Sequence, residues 1–270
     1  MKDKVIFTEQ DHKYTGNNGT NYISTTTLIS RYKEPFDSEY WSLYKGIEKL
    51  VVKSKGQEYF NNIKRKIGYE NLIPYFLPKI TKDGRLENAI NEVLNEWKEK
   101  KDKALDKGTA FHKAKEEEVN GKVTCEETGL KVILFKDRKD LHELTDGVYT
   151  ELVIWNEENE LAGGADKVVK EGEWIDVDDY KTSKVIEENS FKHYETGYRM
   201  MKKPVQNLMD CNLSHYSLQL SIYGWMLEQK GFKVRRLRIY HSITDKYIEV
   251  PYLKKEVEAI LKDYGRKRKH

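Results

Sequence analysis

The stretch from Glu151 to Lys181 constrains the fold more than any other part of this chain. It contains three runs of alternating apolar residues separated by turn-forming residues, and this pattern predicts three consecutive antiparallel strands. The runs are 151–156, 161–169 and 173–181. A tight turn at Glu171-Gly172 would fold the third strand back against the second.

Two carboxylates and one amine come together in this predicted hairpin. Asp166 lies midway along the second strand and Asp179 lies near the end of the third, so they take neighbouring positions in one sheet. Lys181 points to the same face as Asp179, because strand side chains alternate with a period of two. Neighbouring carboxylates repel each other unless a proton or a cation lies between them. We therefore expect a bound cation at this hairpin.

Mg²⁺ or Mn²⁺ is the cation that suits these ligands. Mg²⁺ prefers oxygen and is commonly held by one or two carboxylates together with substrate phosphate. The backbone carbonyl of Tyr180 would add another oxygen. Lys181 would orient the attacking water or help to deprotonate it, and it would stabilise charge on the phosphate. The alternative is that Asp166 and Asp179 end exposed strands and that Lys181 pairs with one of them.

Two predicted helices, one before and one after the three strands in the sequence, carry further candidate site residues. The first places His112 and Glu116 on one face, four residues apart. His112 is then either another metal ligand or a partly buried helix histidine. The second carries Gln219 and Tyr223 one turn apart, where they would brace the metal ligands or reach a backbone phosphate.

A stretch of about twenty residues, 185–206, separates the third strand from the second helix and reads as a long loop. We expect it to border a DNA channel, with Tyr194 or Tyr198 stacking on an unpaired base and Arg199 following the phosphates. The alternative is a surface excursion whose aromatic side chains are buried.

Four short motifs occur in a fixed order along the chain. They are Gly108-Thr-Ala-Phe-His112, Gly163-Gly-Ala-Asp166, Asp179-Tyr-Lys181 and Gln219-Leu-Ser-Ile-Tyr223. This ordered set resembles the PD-(D/E)XK nuclease superfamily, and within it the RecB-like exonuclease branch, over residues 108–241. The resemblance implies a restriction-endonuclease-like α/β core in which elements follow the order αβββαβ and helices flank a central mixed sheet.

The resemblance also implies roles for individual residues. His112, Asp166 and Asp179 match the family's metal ligands, and Lys181 matches its catalytic lysine. Gln219 and Tyr223 match a helix motif that supports the site and contacts DNA. Glu151 stands where related nucleases often carry an acidic residue.

Two cofactors of some relatives are not expected here. An iron-sulfur cluster of the kind found in several relatives needs four cysteines, and the chain has only Cys125 and Cys211. No Gly-x-x-x-x-Gly-Lys-Ser/Thr motif occurs, so the sequence predicts no ATP site. Ala165 stands before Asp166 in place of the proline of the superfamily's name, as is usual in this branch.

Composition agrees with a DNA-processing enzyme without requiring one. The formal charge of +3 comes from 48 basic and 45 acidic residues, so DNA binding would depend on local basic clusters. No apolar run reaches the length of a membrane span, and the N-terminus does not read as a signal peptide. We expect a cytoplasmic protein of a bacterium or a phage-infected host cell.

We expect two domains and one principal activity. Residues 1–85 would form a β-hairpin with a mainly helical extension, and residues 86–270 the nuclease core with a C-terminal strand and helix. The predicted activity is Mg²⁺-dependent hydrolysis of DNA, preferably by an exonuclease acting in recombination, repair or phage DNA processing. A structure-specific endonuclease and a catalytically inactive DNA-binding protein are the alternatives. A ring oligomer or a recombination or strand-annealing partner is compatible with the sequence, although no feature points to either.

Overall fold

The computed structural model describes residues 4–8, 10–80, 84–134, 141–193 and 197–268. The protein is a mixed α/β protein with a central mixed sheet flanked by helices. The chain forms two compact units. The sheet unit comprises Met1–Glu34 and Gly108–His270, and the helical unit comprises Pro35–Lys107.

The described residues form ten strands and seven α-helices. The strands are β1 (Val5–Thr8), β2 (Lys13–Gly16), β3 (Asn21–Ser24), β4 (Gly147–Asn156), β5 (Leu161–Glu171), β6 (Trp174–Lys181), β7 (Lys192–His193), β8 (Gly197–Tyr198), β9 (Lys233–His241) and β10 (Lys246–Glu249). The helices are α1 (Thr25–Ser30), α2 (Ser38–Lys55), α3 (Gln57–Ile67), α4 (Leu72–Phe76), α5 (Arg85–Asn120), α6 (Asn212–Glu228) and α7 (Lys254–Arg268). The predicted order of helix, three strands, helix and strand is present as α5, β4, β5, β6, α6 and β9.

Strand β5 is the centre of the sheet. It pairs antiparallel with β4 along one edge, and antiparallel with β6 along the second half of its other edge. The predicted antiparallel hairpin is therefore confirmed, and Gly172 makes its turn with a left-handed φ of +59°. Strand β6 continues the sheet by pairing parallel with β9.

The N-terminal strands belong to this sheet. Strand β3 pairs parallel with Leu161 and Ala162, the first residues of β5. Strands β3 and β6 thus share one edge of β5, and β2 and β1 follow β3 in the sheet. The expected division at residue 85 grouped these strands with the helices, whereas the contacts group residues before Pro35 with the sheet. Ser24 ends β3 and caps α1 by accepting a hydrogen bond from the Thr27 N–H at 3.1 Å.

Helix α6 supplies much of the core of the sheet unit. It packs on β4, β6 and β9, and it is buried on most of its surface, as at Leu218, Leu220 and Ile222. Strand residues such as Val168 and Val177 face the same core. The site residues on β4, β5, β6 and α6 described below therefore project from buried elements.

The helical unit has its own aromatic core. Phe60 stacks on Phe76 with ring centroids 5.8 Å apart, and Tyr44 meets Phe60 edge to face at 6.1 Å. Gly46 allows α2 to approach α5, because a Cβ there would lie 2.9 Å from Ile90 Cγ1.

The stretch between β6 and α6 is more ordered than the predicted loop. Strands β7 and β8 pair antiparallel within it, and Met200 forms a bridge with Met209. Tyr194 lies outside the described residues, so its predicted contact with a base stays a prediction. None of the helices within the described ranges combines the length and apolar character needed to cross a membrane.

Candidate metal centre

The predicted site residues come from five elements of the sheet unit. They are His112 on α5, Glu151 on β4, Asp166 on β5, Asp179 and Lys181 on β6, and Gln219 and Tyr223 on α6. The structure arranges them as two adjoining groups. One group has metal-ligating atoms at close range, and the other is an ion pair held by hydrogen bonds.

The first group consists of His112, Glu151 and Asp166. One ligand atom from each of the three side chains lies within 4.8 Å of the others. His112 Nδ1 is 3.1 Å from Asp166 Oδ1, and the Tyr180 N–H donates a hydrogen bond to Asp166 Oδ2. Both carboxylate oxygens of Asp166 are therefore oriented by fixed partners.

Glu151 joins this group through an unusual backbone conformation. Its neighbours Thr150 and Leu152 pair with Lys167 and Ala165, so Glu151 stands opposite Asp166 between two regular pairs. Glu151 itself has a φ of +46°, in the left-handed region, which costs a residue with a side chain about 1–2 kcal/mol. Strain of this kind persists only where the surrounding structure imposes it, and it is concentrated at functional sites.

The charges in this region raise the pKa values of its acids. Burial, followed by the charge of Asp166, raises the pKa of Glu151 to about 7. Burial also raises the pKa of Asp179 to about 6, where repulsion from Asp166 adds to burial and Lys181 opposes it. For His112, burial lowers the pKa but the hydrogen bond and charge of Asp166 outweigh it, so the pKa is raised. The acids are thus held closer together than their charges favour, as expected where a cation binds.

The second group is centred on Asp179. Lys181 Nζ forms a close ion pair with Asp179 Oδ2, and Gln219 Nε2 donates to Asp179 Oδ1 at 3.0 Å. The same Gln219 amide donates to Tyr223 Oη at 3.1 Å, and its Oε1 lies 3.4 Å from Lys181 Nζ. Gln219 therefore contacts both members of the ion pair, while buried Tyr223 contacts Gln219.

The remaining predicted residues lie at different distances from these groups. Glu116 accepts a hydrogen bond from Asn120 at 3.3 Å, and its charge acts on Glu151, although it is not one of the three clustered ligands. Tyr198 is exposed, with Lys192 Nζ 5.3 Å from its ring centroid. Arg199 pairs with Asp210, a residue that the sequence had not drawn attention to.

The structure also changes the relative weight of Glu151 and Asp179. The sequence predicted Asp179 as a ligand and Glu151 as an accessory residue, whereas the clustered ligand atoms belong to His112, Glu151 and Asp166. A strand pattern assigns Glu151 to a face by its parity, and it cannot reveal the left-handed backbone at that position. The Tyr180 carbonyl stays a prediction, because the contact observed at this residue is made by its N–H.

This set of donors fits a hard divalent cation. It offers carboxylate oxygens from Glu151 and Asp166 and one imidazole nitrogen from His112. Oxygen-rich sets of this kind suit Mg²⁺ and Mn²⁺. The raised pKa of Glu151 shows that its charged form lacks a compensating cation, and a bound divalent ion would favour that charged form.

No protein-family model matches the sequence, and no curated protein matches it significantly.

Proposed function

We propose that this protein is a divalent-metal-dependent nuclease of the PD-(D/E)XK type that hydrolyses phosphodiester bonds in DNA. The proposal rests chiefly on one observation. Ligand atoms of His112, Glu151 and Asp166 lie within 4.8 Å of one another, and Asp166 belongs to the same hairpin that carries the Asp179–Lys181 ion pair. The sheet order and the flanking helices are compatible with a restriction-endonuclease-like core, which is part of the proposal.

Mg²⁺ or Mn²⁺ would be held by His112, Glu151 and Asp166, with Asp179 close by. Bound there, the cation supplies Lewis-acid stabilisation of negative charge on the phosphate oxygens. Asp166 is kept in place by His112 and by the Tyr180 N–H, so its oxygens need little reorganisation on binding.

Lys181 acts as a fixed cation in this proposal. Burial lowers its pKa, but the charges of Asp179 and Asp166 outweigh burial, so the pKa is raised and the amine stays protonated at neutral pH. A protonated amine orients the attacking water and stabilises charge that develops on the phosphate. Gln219 holds this ammonium in position through Asp179 and through its own Oε1.

Cleavage of end-labelled DNA with Mg²⁺, with Mn²⁺ or with a chelator tests the proposal. We expect cleavage with either metal and none with the chelator. We expect Lys181→Gln and Asp166→Asn each to slow it by roughly 100-fold or more, because each removes charge that acts on the transition state. Lys233→Gln is a matched control, because Lys233 forms an exposed ion pair far from the site. Lys233 lies at the first residue of β9, whereas Lys181 is paired with His241 at the last.

Unchanged metal-dependent cleavage by folded Lys181→Gln and Asp166→Asn would overturn the proposal. Closed circular DNA distinguishes an exonuclease from an endonuclease, because an exonuclease needs a strand end. Degradation confined to linear DNA identifies an exonuclease, which is the form favoured by family resemblance, and cutting of circles identifies an endonuclease. DNA binding without cleavage under all conditions would instead identify a non-catalytic DNA-binding protein.

A further inference from the structure

A second polar cluster lies beside Lys181 and is organised by Asp210, the residue two positions before α6. The Asp210 side chain is only 1% exposed. His215 Nε2 lies 2.7 Å from its Oδ1, and the Glu34 N–H donates to its Oδ2 at 3.0 Å. Arg199 Nε lies 3.1 Å from the same Oδ2. A single buried carboxylate thus joins two nearby residues, Arg199 and His215, to the distant backbone of Glu34.

Arg199 is held by its inner nitrogen only. Asp210 binds Nε, and the two outer nitrogens make no hydrogen bond to any residue that the structure describes. The Arg199 side chain is 43% exposed, so solvent and solutes can reach it. A guanidinium oriented in this way presents its remaining N–H donors as a fork to an incoming oxyanion.

Lys33 brings a second cation to the cluster. It precedes Glu34, whose N–H binds Asp210, and its ammonium interacts with the charges of both Asp210 and Lys181. Burial lowers the pKa of Lys33, Asp210 raises it, and Lys181 lowers it further. Lys33 therefore adds positive charge to the electrostatic surroundings of Asp210 and Lys181.

The cluster carries an excess of positive charge that a bound anion would offset. Asp210 is the carboxylate shared by Arg199, His215 and Lys33, and Lys181 is already engaged by Asp179. The pKa of His215 is lowered by burial and then by Lys33, which again reflects crowding of positive charge. Half-buried Lys33 and Lys181 carry like charges that act on each other, and a nearby oxyanion would offset this unfavourable interaction.

We propose that Lys33 and Arg199 bind a phosphate group of the nucleic-acid substrate next to the one that is cleaved, and that Asp210 positions Arg199 for this contact. This inference rests on the proposed nuclease function and adds to it a substrate-positioning subsite. Phosphate is the oxyanion that arginine forks and lysine ammonium groups bind together, and it recurs along every strand of the proposed substrate. Lys33 and Arg199 are substrate-contacting residues here, and Asp210 is a positioning residue.

Binding of a fluorescent DNA oligonucleotide to the full-length protein, with a chelator to prevent cleavage, tests the subsite. We expect Arg199→Gln and Lys33→Gln each to raise Kd by about 5- to 10-fold, and to lower the slope of log Kd against log salt concentration by about one. The charge-matched Lys233→Gln should leave Kd within about 2-fold, because Lys233 lies eight residues along β9 from His241, roughly 25 Å away. Kd values for Arg199→Gln and Lys33→Gln equal to that of Lys233→Gln would overturn the inference.

Asp210→Asn tests positioning separately from charge. The substitution keeps Arg199 and Lys33, so we expect a weaker affinity for DNA with an unchanged salt slope, and in the cleavage assay a higher KM with little change in kcat. Circular dichroism and thermal unfolding establish that each variant is folded. If Asp210→Asn does not fold, Arg199→Lys replaces it, because lysine keeps the charge but loses the fork, and we expect intermediate affinity.

The two proposals fail in different ways. If the wild type cleaves DNA and both Arg199→Gln and Lys33→Gln bind DNA as tightly as it does, the subsite proposal is wrong and the nuclease proposal stands. Binding that depends on Arg199 and Lys33 without any cleavage removes the nuclease and leaves a phosphate-binding site. A wild type that binds no oligonucleotide removes both. Oligonucleotides with and without a terminal phosphate distinguish a phosphate at a strand end from one within the backbone.

Discussion

Tyr223 occupies the space next to Gly163, so that a Cβ built on Gly163 would lie 2.4 Å from Tyr223 Cε1. The same Cβ would lie 2.9 Å from Thr25 Oγ1, which donates a hydrogen bond to the Ala162 carbonyl at 3.2 Å. Tyr223 in turn accepts a hydrogen bond from Gln219, and Gln219 binds Asp179. Close packing between β5 and α6 therefore sets the position of the groups around the Asp179–Lys181 ion pair.

Gly163→Ala tests this packing. We expect a loss of about 2–3 kcal/mol in unfolding free energy, because the methyl group meets a buried aromatic ring and a bonded hydroxyl. Gly164→Ala is the matched control, since a Cβ there would find Tyr14 Oη at 3.6 Å, an ordinary contact. Urea unfolding of both variants measures the difference. Equal stability of the two would show that Tyr223 does not restrict β5.

Glu151→Gln tests the electrostatic cost of the clustered acids in the metal-free protein. The folded-state pKa of Glu151 is about 7, above the ordinary value of 4.5. The stabilising contribution of neutral Glu151 in the metal-free protein is therefore fully present below about pH 4.5, and it is lost as the pH rises through 7. A shift of this size corresponds to about 3 kcal/mol. We expect Glu151→Gln to be more stable than the wild type at pH 8, and equally stable at pH 4.

The same stability measurements include a control variant and a test of metal binding. Glu158→Gln, at an exposed position between β4 and β5, should change stability little at either pH. Adding Mg²⁺ at pH 8 should raise the thermal unfolding temperature of the wild type more than that of Glu151→Gln. A wild type whose metal-free stability does not fall between pH 5 and 8 would contradict the prediction.

The sequence predicted those parts of the site that depend on local pattern. Period-two alternation and the turn before Trp174 were enough to predict the β5–β6 hairpin, and strand parity placed Lys181 on the face of Asp179. These features require no knowledge of distant contacts.

Other features depend on contacts between distant parts of the chain. Strand β3 pairs with β5 across more than 130 residues, and no local pattern indicates a parallel partner there. A short antiparallel pairing brings Arg199 and Asp210 together, whereas the Glu34 N–H reaches Asp210 only because the fold brings a distant segment to it. The left-handed backbone of Glu151 is likewise imposed by its surroundings, because propensity alone disfavours it.

Lys181→Met tests the buried ion pair with Asp179. Removing the ammonium leaves a buried carboxylate beside Asp166 without its cation, and we expect a loss of about 3 kcal/mol in unfolding free energy at pH 7. Adding Asp179→Asn in the same chain should recover most of that loss, because the unpaired charge is then gone. Lys233→Met is the control, since the Lys233–Glu173 pair is more than half exposed at 58% and 54% and should contribute under about 1 kcal/mol. A double variant no more stable than Lys181→Met would mean that the loss is one of packing.

Glu127→Gln tests a network of charges at β5, β6 and β9. Burial would raise the pKa of Glu127, but hydrogen bonds from Arg238 at 2.6 Å and Lys167 at 2.9 Å outweigh it and lower the pKa to about 2. Because this pKa is depressed, its stabilising effect is complete above about pH 4.5 and is lost as the pH falls towards 2. The side chain is 38% exposed, so solvent screening reduces the contribution to about 1–2 kcal/mol.

We accordingly expect Glu127→Gln to lower stability at pH 7 by about 1–2 kcal/mol and to flatten the acid limb of the stability profile between pH 4.5 and 2. Arg238 keeps its paired hydrogen bonds to Asp178, both at 2.8 Å, so the fold should survive the substitution. Glu126→Gln is the control, because that neighbour is 83% exposed and its ion pair with Lys122 lies at the surface. Urea unfolding measured at several pH values decides the matter. If the wild type and Glu127→Gln lose stability equally between pH 4.5 and 2, the ion pairs of Glu127 with Arg238 and Lys167 do not stabilise the fold.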